Sequence, residues 1–149
     1  MRMKFSYYLK ASLFIVFSIF YGCATISNFD QYAYTQATSI KVDAINTMDF
    51  ATDNYNNHAQ EVAKVQTEMQ KIYEYEKNRP KNSITTKMWE KMIDTSGHLY
   101  GGFLGYWKSK GKLSPAFIDN EKDLIASSFD QIAQLESKKI KQSSITSDN

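Results

Sequence analysis

Residues 27–78, SNFDQYAYTQATSIKVDAINTMDFATDNYNNHAQEVAKVQTEMQKIYEYEKN, run for 52 positions without a glycine or a proline. The folding of this stretch decides the architecture of the whole chain. Apolar or small side chains recur at Ala37, Ile40, Ala44, Met48, Ala51, Tyr55, Ala59, Val62, Met69 and Tyr73, with Gln66 the one polar residue on the same line. Steps of three and four residues put these positions on one face of a helix. The pattern predicts one very long helix, ~75 Å at 1.5 Å per residue. Its weak segment is Asp53-Asn54-Tyr55-Asn56-Asn57-His58, because Asp and Asn side chains compete with the helix for backbone hydrogen bonds. A break there makes two helices of one. The register nevertheless passes through Ala51, Tyr55, Ala59 and Val62 without a change of phase, which favours continuity.

Downstream, Pro80 cannot continue a helix and disfavours helical geometry at Arg79, so a turn is expected over 78–82. A second helix is expected from Ser83 or Thr85 to about Lys108. Along it Gly97, Gly101 and Gly105 recur every fourth residue. Each costs ~1 kcal/mol against alanine inside a helix, and the expected compensation is close approach of another helix backbone. The alternative is a break at Ser96-Gly97, with Gly97 capping a shorter helix. After the basic loop of Lys108, Lys110 and Lys112, Ser114-Pro115 reads as a cap followed by proline at the first helical position. The last helix then shows an apolar face of Phe117, Ile118, Leu124, Ile125, Phe129, Ile132 and Leu135, and residues 142–149 form a polar tail.

The expected fold is therefore all-α: one very long N-terminal helix with an antiparallel helical hairpin packed on its distal half. The alternative is a four-helix bundle, if the first helix breaks near 53–58. In the first arrangement Ala37, Ile40, Ala44 and Met48 lack a partner within the chain, and an exposed stripe of that size implies a docking partner or self-association.

Ahead of the long stretch, residues 1–10 carry Arg2, Lys4 and Lys10, residues 11–20 are an almost unbroken apolar run, and Gly22 and Ala24 are small. This is signal-peptide anatomy. Ten apolar residues are too few for ~30 Å of hydrocarbon, which needs ~20. Setting the leader aside removes three of the 18 Lys+Arg and none of the 16 Asp+Glu. The remainder is 15 against 16, a net charge of −1, and a nucleic-acid partner loses its support. With Cys23 the sole cysteine, no internal disulfide forms.

Phe20-Tyr21-Gly22-Cys23 resembles the lipobox of bacterial lipoproteins, in which a small residue precedes the cysteine that is lipidated and becomes residue one. Gly22 and Cys23 match the pattern; Phe20 and Tyr21 are bulkier than its usual residues. Cleavage after Ala24 and an incidental cysteine in an uncleaved leader are the competing readings. The resemblance implies a lipid-anchored, palmitate-carrying protein of the cell envelope, with domains at 1–22 (signal peptide), 23–141 (anchored helical domain) and 142–149 (tail). In a host with two membranes, Ala24 in place of the inner-membrane retention signal implies the outer membrane, facing the periplasm.

Catalytic chemistry finds little support. His58 and Glu61 stand one turn apart and His98 lies near Asp94, short of the repeated Glu-x-x-His pairs or two-histidine spacing of helical metal sites. No metal and no cofactor is expected. Ser96-Gly97-His98 places a hydroxyl near an imidazole but does not form a nucleophile elbow, which needs a preceding strand. Trp89, Tyr100, Phe103 and Trp107 are candidates for an aromatic pocket taking a small hydrophobic ligand, against the plainer reading as core. The expectation is a non-catalytic, membrane-anchored scaffold, accessory or inhibitor-type binding protein; the alternative is a periplasmic carrier of a hydrophobic ligand.

Overall fold

The computed structural model describes residues 29–137. The proposed leader, Cys23, Ser27 and the polar tail lie outside them. Regular structure among the described residues is helical throughout: α1 (Gln31–Asp49), α2 (Ala59–Lys77), α3 (Ser83–Ile93), α4 (Tyr100–Lys110) and α5 (Pro115–Glu136). No described helix is long and apolar enough to cross a membrane.

The all-α class stands, but the long stretch is not one rod. α1 and α2 are 19 residues each, joined by two short 3₁₀ turns, Phe50–Thr52 and Tyr55–His58. Between the turns Asp53 and Asn54 are extended. The Asn54 side chain accepts from the Asn56 N–H at 3.0 Å, and the Asn57 amide donates to the Asp53 carboxylate at 2.9 Å. These local bonds replace helical ones at the segment whose propensity was weakest. Other parts of the chain satisfy the freed backbone: Trp107 Nε1 donates to the Asp53 carbonyl at 2.9 Å, the Leu113 N–H to Ala51 O at 2.8 Å and the Tyr55 N–H to Gly111 O at 3.2 Å.

The chain doubles back at this corner, and the buried face changes phase. In α2 it is Val62, Val65, Met69, Ile72 and Glu76; Ala59, expected on the stripe, is exposed. α1 and α5 run antiparallel, with Lys41 on Asp130 at 2.6 Å and Lys122 on Asp49 further along. The result is an up-down-up-down course of four rods, the third split into α3 and α4.

That split corrects the expectation of one glycine-striped helix. α3 ends at Ile93, where the Asp94 carboxylate accepts from both the N–H and the hydroxyl of Ser96 at 2.9 and 2.7 Å, and α4 starts only at Tyr100. Where the two pieces meet, a Cβ on Gly101 would stand 2.3 Å from Ile93 O, and one on Gly102 1.9 Å from Gly97 O. The glycines serve a tight backbone corner. Gly97 belongs to the connection itself, whereas a Cβ on Gly105 would find only Thr95 O, at 3.3 Å.

The N-cap of α1 is Asp30, which accepts from the Ala33 N–H at 3.0 Å. Ser114 caps α5 with Pro115 behind it, as its sequence leads one to expect. Leu124 departs from the expected apolar face of α5 and is 49% exposed.

Candidate functional site

At one end of the bundle the start of α1, the α2–α3 turn and the end of α5 converge on a buried charged cluster. Arg79 Nη1 donates to Glu76 Oε2 at 2.7 Å and to Glu136 Oε2 at 2.6 Å. Arg79 Nε lies 3.5 Å from Asp30 Oδ2, which also accepts from the Tyr75 hydroxyl at 2.7 Å. The Asn82 amide donates to the Glu76 backbone carbonyl at 3.1 Å and to its carboxylate. Glu76 and Glu136 are 1% and 3% exposed, and Glu76 Oε1 has no hydrogen-bond partner among the described residues. Burial, with repulsion from Glu136, pushes the Glu76 carboxyl up to about 7, against the pull of Arg79. The cluster holds three carboxylates on one guanidinium, so the N-terminus of α1 is tied to the ends of two other helices.

Sequence reasoning passed over this cluster. Its signal is visible in retrospect: Glu76 falls four residues after Ile72 and Glu136 four after Ile132, both on the buried face of their helices. A carboxylate in that register either has a partner or is strongly disfavoured.

A second feature is a cleft of about 390 Å³ between α4 and α5, lined by Phe103, Tyr106, Phe117 and Leu124 with Gly102, His98 and Glu121. The Phe103 and Phe117 rings lie nearly parallel, 6.4 Å apart. Its lining combines these apolar side chains with an imidazole and a carboxylate.

The residues singled out from the sequence fall elsewhere. Ala37, Ile40, Ala44 and Met48 are at most 2% exposed. They form the face of α1 that packs on α2 and α5, so the free docking stripe does not exist. Trp89, Tyr100 and Trp107 are sealed in the core, whereas Phe103 reaches the cleft. Burial pushes the Tyr100 hydroxyl well above its usual range. His58 stacks on Phe50 with centroids 4.6 Å apart, and its Nε2 is 3.4 Å from Asp53 Oδ2. The Asn57 amide and the Asn54 backbone hold the Asp53 carboxyl down at about 2. Among the described residues no group of three His, Cys, Asp or Glu side chains is placed to hold a metal ion.

Compared with protein-family models, characterised proteins and solved structures, the chain matches none.

Proposed function

We propose that this chain is a lipid-anchored protein of the bacterial cell envelope, a non-catalytic accessory body held against the membrane by lipid on Cys23. The observation that carries the reading is the way α1 begins. Asp30 caps the helix and is bound by Tyr75 and Arg79, so the chain enters the described bundle at a fixed point. Cys23 stands only seven positions earlier. Fully extended, that interval reaches ~25 Å, about the length of α1. A body so closely tethered works near the bilayer and through its outer surface, because the apolar face of α1 is spent on its own core.

Intact mass of the protein extracted from bacterial membranes tests this. The expected species begins at Cys23 and carries a diacylglyceryl group and an amide-linked acyl chain, and Cys23→Ser abolishes both. A chain cut after Ala24, or one with its leader intact and no lipid, would overturn the reading.

The carrier alternative has one observation in its favour, the cleft at Phe103, Tyr106, Phe117 and Leu124. If it holds, the protein extracts with bound fatty acid or lipid, and Leu124→Asp removes that ligand without unfolding the bundle.

A further inference from the structure

The bundle end that carries the start of α1 has, beside the buried cluster, a basic cleft of about 380 Å³ lined by Lys77, Lys81, Ser83, Thr86 and Lys87, with Arg79 at its inner side and Glu90 the acidic member. We propose that this end rests on the bilayer and that the cleft seats the phosphates of anionic phospholipids. The proposal rests on the anchored reading above and adds to it which end of the bundle faces the membrane.

Charge is the first observation. Lys77, Lys81 and Lys87 are all exposed. Glu90 accepts from the Tyr73 hydroxyl at 3.0 Å, and Glu74 pairs with Lys77 itself at 3.7 Å on the surface, which leaves Lys81 and Lys87 as the cleft's unopposed charges among the described residues. α3 begins in this cleft without a side-chain cap, since the Asn82 amide is bound to Glu76. Its first-turn N–H groups add to the positive potential.

An aromatic rim beside the cleft is the second. Phe29 and Tyr32 are each 52% exposed and Tyr75 39%. Tyr32 and Tyr75 meet edge to face at 4.9 Å, and the Arg79 guanidinium carbon lies 5.9 Å from the Tyr75 ring, joining rim to cleft. Exposed amphipathic rings next to lysines are the composition that settles at a lipid–water interface.

Reach is the third. With this end down the interval from Cys23 to α1 need not be stretched, whereas bringing the opposite end to the membrane would take nearly its full extension of ~25 Å along the length of α1. That end is also basic: Lys112 faces Asp53 at 3.6 Å, while Lys108 and Lys110 lie over the Tyr55 and Tyr106 rings, as Lys77 lies over Tyr73 at 5.6 Å. Lys81 and Lys87 of the cleft have no such partner among the described residues.

The test uses the full protein purified from bacterial membranes and reconstituted in phosphatidylcholine vesicles with or without phosphatidylglycerol, each spiked with spin-labelled lipid. A fluorophore is placed at Asn78→Cys, beside the cleft, or at Ser109→Cys, at the far end. Each lysine near an anionic surface is worth roughly fivefold in affinity. The triple variant Lys77→Gln/Lys81→Gln/Lys87→Gln should therefore lower the seated population roughly a hundredfold. Expected are strong quenching at position 78 in phosphatidylglycerol vesicles, little at 109, and loss of the difference in the triple variant and at high salt. Equal quenching in both lipids, quenching unchanged in the triple variant, or relief by inorganic phosphate at constant ionic strength would overturn it, the last by making the cleft a site for a free anion. Intact mass, taken beforehand, decides the anchor separately: an unlipidated Cys23 takes a second fluorophore, while the comparison of lipids and variants still reads the cleft.

Discussion

Arg79 Nη1 and Glu136 Oε2 stand 2.6 Å apart, a contact across 57 residues of sequence that joins the turn after α2 to the last turn of α5. The same guanidinium serves Glu76 and approaches Asp30. One side chain thus closes the end of the bundle.

Removing it leaves buried carboxylates without their cation. Arg79→Met is expected to destabilise the fold by about 3–5 kcal/mol, the usual cost of breaking a buried ion pair from one side. Urea unfolding followed by circular dichroism measures it. Adding Glu136→Gln to Arg79→Met should recover part of the loss, since it removes one stranded charge.

Stability should fall as pH rises through neutrality. Glu76 has its carboxyl raised from an ordinary 4.5 to about 7. Below 4.5 folded and unfolded chains both hold the proton; between 4.5 and 7 only the folded chain does. The folded state therefore loses up to about 3 kcal/mol of relative stability as pH passes upward through this window. Asp30, Asp53 and Asp94 have lowered carboxyls and act oppositely, their contribution disappearing as pH falls below the ordinary aspartate range. Chemical denaturation across the range from about pH 5 to pH 8 should show the decline, and Glu76→Gln should flatten it.

The α3–α4 corner separates two glycines that look alike in sequence. Gly102→Ala puts a Cβ 1.9 Å from the Gly97 carbonyl oxygen and should cost about 2–4 kcal/mol, because backbone must move. Gly105→Ala meets only Thr95 O at 3.3 Å; the helix-propensity gain of ~1 kcal/mol offsets that contact, and thermal midpoints should barely shift.

The face of α1 behaves as core. Met48→Glu buries a carboxylate at a position with no exposure and should unfold the domain rather than release it from a partner. A folded Met48→Glu monomer, seen as a sharp near-ultraviolet circular dichroism spectrum, would contradict the packing.

Helical class, the turn at Pro80, the Ser114-Pro115 start and the apolar face of α1 were all legible, because each rests on local chemistry or on the 3.6-residue period. The corner at 50–58 was legible only as a weakness. Whether weak propensity becomes a break depends on what receives the freed backbone groups, and here the receivers are Trp107, Gly111 and Leu113, more than fifty residues away. The apparent continuity through Ala51, Tyr55 and Ala59 misled because alanine and tyrosine fit either side of a helix; Val62, Val65, Met69 and Ile72 carry the true phase. The glycines were read as a stripe along one helix, whereas the Asp94–Ser96 bonds end that helix first. For the site, the carboxylates Glu76 and Glu136 sat in plain view on apolar registers, but their shared Arg79 lies in a turn where sequence spacing gives no direction.

The lattice of contacts around α1 sets an order of events. Its principal neighbour is α5, and Lys41 reaches Asp130 across 89 residues. A nascent α1 can meet α2 early but finds its principal partner only when nearly the whole polypeptide has been made. The loop that must close is long, so the closing step is slow. The bundle therefore closes late, when the final helix arrives to cover α1.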